Sequence, residues 1–202
     1  MPPGTDAAGL VGDPEAAREL FNPVFGQIAG GPSVIDIGAN SLTPFFDWAE
    51  HAALPDMLSV DGVVATFAFV AAPNPDALVN AVNAYERAYA LFGDAAHYAC
   101  IRNDCDGTGF GQFNDLEIRA YLDQAHKYGR MKVIDLPHCD CRLARWASSR
   151  DKLPIDAFAD FETAAQDLGL TRPARQQQWK WLTDWVARAR QALAPLVPDS
   201  QP

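Results

Sequence analysis

Four short segments hold most of the side chains in this sequence that can do chemistry. They are Asp36-Ile37-Gly38-Ala39-Asn40, Arg102-Asn103-Asp104-Cys105-Asp106, Gly107-Thr108-Gly109-Phe110-Gly111 and Pro137-His138-Cys139-Asp140-Cys141. Three of them directly follow an apolar run, and the Gly-rich one continues the second. In open parallel sheets ligands sit outside the carboxyl ends of the strands. Asp36 closes such a run, and Gly38 would let a backbone N–H approach an anion closely. A carboxylate so placed suits a water-mediated Mg²⁺ contact beside a phosphate. The alternative is an aspartate that caps the next helix. Gly107 to Gly111 reads as a loop and not as a phosphate cradle, because no lysine follows and Phe110 is bulky.

The four cysteines, Cys100, Cys105, Cys139 and Cys141, all fall in the second half. If the strands leading to Asn103 and Leu136 are neighbours, then Cys105, His138, Cys139 and Cys141 meet at one sheet edge, and thiolates with imidazole favour zinc. The spacing matches no recognised zinc pattern, however. Cys100 falls mid-strand and reads as a small buried hydrophobe. A Cys-x-Cys disulfide would close a strained ring, so reduced thiols are the expectation. Ser41 lacks a G-x-S-x-G elbow, and none of the four histidines has an obvious nucleophile beside it.

The elements that must position these residues alternate. Asp13-Pro14-Glu15 opens a helix, with a break expected near Asn22-Pro23. Ser33–Gly38 reads as a β-branched strand, 43–53 as a helix, and Val63 to Ala71 as a strand covered on both faces. Asn74-Pro75-Asp76 caps a helix closed by Gly93. A strand over 96–103, a helix from about Asn114 to Lys127 and a strand over 131–136 follow. This alternation predicts an α/β fold: a Rossmann-like, mostly parallel sheet with helices on both faces. Residues 1–12 read as an irregular tail, 13–170 as the α/β domain, and 171–202 as a Trp-rich basic helix and tail.

Charge and length narrow the function. The 202 residues carry a formal net charge of -10, which argues against direct nucleic-acid binding by the acidic body. Thr171 to Pro202, with five basic residues against two acidic ones, is the exception. Its helix, bearing Trp179 and Trp185 on one face, either docks on the core or mediates self-association or a protein partner. The longest apolar run is half of the about 20 residues that a membrane span needs. The first residues lack the basic start of a signal peptide, so a cytoplasmic protein is expected.

The order Val34-Ile35-Asp36-Ile37-Gly38-Ala39-Asn40-Ser41, helix, strand, long helix and strand closing on Asn103 resembles the MinD/ParA-type P-loop ATPases. Within them it is most similar to the TraL-type conjugal-transfer and plasmid-maintenance branch. That branch reads like IDNGASS before a proline and aromatics, as Thr43-Pro44-Phe45-Phe46 follows here. The resemblance runs from about Ser33 to Pro137. It implies ATP with Mg²⁺ as cofactor, Asp36 as the Walker-B-like acid and Gly38 as the glycine beside the γ-phosphate. It also implies Asn103 as the amide that reads adenine and Pro137 as part of the base pocket. No G-x-x-x-x-G-K-[ST] or K-G-G-x-G-K-[ST] occurs, which makes this an incomplete P-loop NTPase-like fold. Without that loop's backbone cradle and lysine, weak or absent hydrolysis is expected. The sequence then either starts after the true N-terminus or belongs to a relative that lost the chemistry. A noncatalytic scaffold and a zinc-stabilised small enzyme are the other readings.

Overall fold

The computed structural model describes residues 13–26, 31–111, 122, 124–126 and 129–196. The tail expected over 1–12 lies outside them. The described helices are α1 (Pro14–Gly26), α2 (Leu42–His51), α3 (Leu54–Val60), α4 (Pro75–Phe92), α5 (Arg142–Ser148), α6 (Asp156–Ala159), α7 (Phe161–Asp167) and α8 (Arg172–Leu193). The strands are β1 (Ala65–Ala71), β2 (Ala96–Asn103) and β3 (Lys132–Leu136), which form a parallel sheet in the order β1-β2-β3. This is an α/β arrangement compatible with a Rossmann-like fold. Most of the helix expected from about Asn114 to Lys127 lies outside the described residues, although Leu122 and 124–126 are helical.

One expected strand does not form. Residues 32–38 have no regular structure, Val34 is fully exposed, and no strand pairs with them among the described residues. A β-branched run has strand propensity, but a strand needs a ladder partner and a face to bury. Pro23 does not break α1 either, since the helix runs through it to Gly26.

The described residues divide into two compact units, one drawn from residues up to Phe69 with Ala81–Tyr98, the other from Val70–Asn80 with Ala99 onward. The first unit is organised by aromatic rings. Phe25 and Trp48 lie 4.8 Å apart between centroids, and Phe67 and Phe92 lie 4.6 Å apart. The Trp48 indole donates to Asn22 Oδ1 at 2.9 Å, so its one polar atom is satisfied within the packing.

In the second unit the core is built from α5 to α8. Leu143, Ala147, Ala157, Ala164, Ala165 and Leu182 are fully buried there. Alanines at the contacts let short helices approach closely, and Leu182 fills the space they leave. On α8 the buried positions Gln178, Leu182 and Ala189 fall on one face. Among the described residues, no helix is long and apolar enough to cross a membrane.

Leu182→Ala would open a cavity where the side chain is fully buried. We expect it to lower unfolding free energy by about 2–5 kcal/mol in urea titrations. Trp181→Ala, on the exposed face of the same helix, should cost about 0.5 kcal/mol or less. Equal losses would place the α8 packing face wrongly.

Candidate functional site

The site is built from the register of β2 and β3. Arg102 pairs with Asp135 and Asn103 with Leu136. The first pair also meets through its side chains, with Arg102 Nε and Nη2 donating to the two Asp135 carboxylate oxygens at 2.6 and 2.8 Å. Bidentate geometry fixes register more than it adds stability, because Asp135 is largely exposed. Asp104 N then donates to Leu136 O at 3.3 Å, which carries the ladder one step further. Asn103 and Pro137 therefore leave the sheet at the same edge. The half-buried Asn103 amide makes no hydrogen bond among the described residues. Pro137 O accepts from Trp185 Nε1 at 2.7 Å, which anchors α8 at that edge.

The Gly-rich loop is held by its own aspartates. Asp104 Oδ1 accepts from Gly109 N at 2.9 Å, and Asp106 Oδ1 accepts from Thr108 N at 3.0 Å and from Thr108 Oγ1 at 2.8 Å. Those hydrogen bonds hold the Asp106 carboxyl below its ordinary pKa. Two N–H groups that an anion would need are thus already bound to carboxylates. Gly107, at φ +77°, lies against the His138 ring, where a Cβ would come within 3.1 Å of Cδ2. His138 Nδ1 is 3.1 Å from Asp104 O. A donated Nδ1–H there would leave Nε2 as the acceptor.

The two thiols after β3 meet. Cys139 Sγ and Cys141 Sγ are 3.8 Å apart, and Cys141 Sγ accepts from Ala144 N at 3.3 Å as the N-cap of α5. The hydrogen bond from Cys139, helped by the backbone N–H groups of Ala144 and Leu143, overcomes burial and brings the Cys141 thiol down to about 7. The same hydrogen bond and burial push the Cys139 thiol up. The pair therefore gives up its first proton near neutrality and its second with difficulty. Around these thiols, a cleft of about 590 Å³ is lined by His138, Cys139, Cys141, Trp181, Trp185 and Arg188, with Asp140 and Asp184 also on its wall.

The sequence-derived site residues separate into two groups. Asn103, Pro137, His138, Cys139 and Cys141 lie at or just beyond the edge of β2 and β3. Asp36 and Gly38 lie instead on the exposed irregular segment of the first unit. Asp36 has no hydrogen bond or ion pair among the described residues, and the irregular run over 32–38 gives it no strand to end. A Cβ on Gly38 would meet nothing within 4 Å, so no close approach demands glycine there.

The four-residue zinc set does not assemble. Cys105 is exposed, and among the described residues no three His, Cys, Asp or Glu side chains are arranged to hold a metal ion. Cys100 is buried mid-strand, and burial raises its thiol to about 11. Sequence reasoning missed Trp181 and Arg188 as cleft residues and Gln178 as a buried polar group. The tryptophan content of α8 was the available signal, but it could not say which rings face the edge of β3. Comparisons with family models, curated proteins and solved structures find no match.

Thiolate absorbance, taken as the difference between the parent protein and Cys141→Ser, should rise with a midpoint near pH 7. In Cys139→Ser the Cys141 midpoint should shift, because the thiol donor is replaced by a hydroxyl. A parent midpoint at the ordinary cysteine value of about 8.5 would show that the two sulfurs do not share a proton.

Proposed function

We propose that this chain is a MinD/ParA-like protein of the TraL-type conjugal-transfer or plasmid-maintenance branch. In this reading it keeps the adenine-recognition edge and hydrolyses ATP at no more than background. The observation that carries this is the pairing of Asn103 with Leu136, which sets a side-chain amide with no hydrogen bond among the described residues beside Pro137 at the carboxyl edge of parallel strands. An amide can pair with the edge of an adenine ring, and a neighbouring proline supplies an apolar wall for its face. The exposed position of Asp36 and the absence of a phosphate-loop motif in the sequence support binding without turnover.

Calorimetric titration with ATP, ADP and GTP tests the reading. Weak binding of the adenine nucleotides is expected, reduced by about tenfold in Asn103→Ala through loss of base hydrogen bonds. Equal affinity for GTP, or no effect of Asn103→Ala, would remove the base-recognition assignment. Robust ATP turnover abolished by Asp36→Ala would overturn the nonhydrolytic part.

A second reading, a noncatalytic scaffold that self-associates through α8, is favoured by one feature. Trp179 and Trp181 are 41% and 44% exposed on α8, the long helix described in the basic segment. Exposed indoles are common at interface hot spots. Light scattering should then show a dimer or larger species that becomes monomeric in the Trp179→Ala/Trp181→Ala double variant. A parent protein that is monomeric at all concentrations tested removes this reading.

A further inference from the structure

We propose that Cys139 and Cys141 form a two-thiolate clip for a thiophilic monovalent cation, copper(I), at the wall of the cleft beside β3. The inference is independent of the nucleotide reading and rests on four observations.

The first is span. The two sulfurs stand 3.8 Å apart with no covalent bond between them. Two thiolates that each bind one d¹⁰ ion at about 2.3 Å are about 3.8 Å apart at a tetrahedral angle and about 4.6 Å apart when collinear. The clip is therefore already near the closed end of the range, and rotation of the Cys139 side chain opens it.

The second is support. Cys141 Sγ is held by the Ala144 N–H at 3.3 Å, a contact that favours negative charge on the sulfur and fixes one arm of the clip.

The third is access. Cys141 is buried, whereas Cys139 is only partly buried and lines the cleft, so an ion enters from the Cys139 side. Arg188 on the same wall offsets the net negative charge of a copper(I) dithiolate.

The fourth is selectivity. Structural zinc wants four ligands, and the described residues bring no third His, Cys, Asp or Glu to the pair. Calcium and magnesium need oxygen cages that this pair does not offer. Copper(I) is soft and is satisfied by two sulfurs. The strain of a Cys-x-Cys disulfide keeps both sulfurs available as ligands.

Binding breaks two S–H bonds and forms two S–Cu bonds. Two protons pass to solvent when both thiols start protonated, and the ion stays copper(I), so no electron is transferred.

The test uses the full chain without oxygen, with copper(I) supplied as its bicinchoninate complex. Colour loss by the chelator gives uptake, and the sulfur-to-copper charge-transfer band identifies the ligands. The parent protein and Cys105→Ser should each take one copper(I) per chain. Cys139→Ser and Cys141→Ser should each take none at the same chelator concentration. Serine at position 141 can still cap α5, and circular dichroism checks that each variant is folded. Where Cys141→Ser does not fold, Cys139→Ser, at a partly buried position that caps nothing, decides the outcome. No uptake by the parent, or undiminished uptake by Cys139→Ser, would overturn the proposal. So would zinc binding of equal stoichiometry through the same two cysteines.

Discussion

The N-terminus of α5 presents backbone N–H groups in a largely buried corner, and the way they are satisfied shapes the second unit. Ala144 N finds Cys141 Sγ, and Arg142 N finds the buried Gln178 Oε1 at 2.6 Å. A buried donor left without a partner costs about 1–3 kcal/mol, so both acceptors are constrained to their positions. Gln178 ties α8 to α5, and one and two turns further along α8 lie Leu182 in the core and Trp185 on Pro137. One capping requirement thus sets the helix packing, the position of Cys141 and the wall of the cleft.

That arrangement gives Cys141 two roles with different demands. As a cap it needs only an acceptor, and serine or aspartate would serve as well or better. As a thiol hydrogen-bonded to a second thiol it holds a soft pair of lone pairs that no oxygen side chain reproduces. The cap accounts for a small polar residue at position 141. It does not account for sulfur at both 139 and 141, since Cys139 caps nothing and lies partly exposed on the cleft. Cys139 does pack at the edge of the α5–α8 core, a role that another small apolar side chain would also fill.

Where the sequence carried its own boundary signals, the elements were legible in it. Asn74 caps α4 through Oδ1 to Ala77 N at 2.8 Å, Gly93 ends that helix at φ +51°, and β2 runs over the expected residues. The failure at 33–38 is informative because the local pattern there is as strand-like as that of β3. The difference lies in long-range pairing: β3 has β2 alongside and a bidentate Arg102–Asp135 contact, and among the described residues the Val34 segment has neither a strand partner nor such a contact. The three short helices between 142 and 167 were not legible either, since they lack a full amphipathic repeat and are held by tertiary contacts. Asn103, Pro137 and His138 could be placed at a sheet edge from strand ends alone. The meeting of Cys139 with Cys141 goes with the seating of Cys141 Sγ on the Ala144 N–H at the α5 cap, which no spacing rule encodes.

The backbone donors at this edge decide which ligands it suits. The loop carboxylates of Asp104 and Asp106 occupy backbone donors, whereas Asp140 and Asp184 on the cleft wall are paired with Arg145 at 3.5 Å and with Lys180 at 2.5 Å. Arg188 adds a further cation on that wall, so the disadvantage for a phosphate lies in the loop, where the Thr108 and Gly109 N–H groups are already bound to carboxylates. A neutral ring at Asn103 and Pro137 needs none of those loop donors, because an amide and an apolar wall supply its contacts. At Cys139 and Cys141 the charges of Arg188 and Arg145 favour thiolate over thiol, which prepares anionic sulfur ligands for a soft cation. The edge is thus better suited to a base or a soft metal than to the phosphates that hydrolysis would require, and the preference follows from the loop aspartates that occupy its backbone donors.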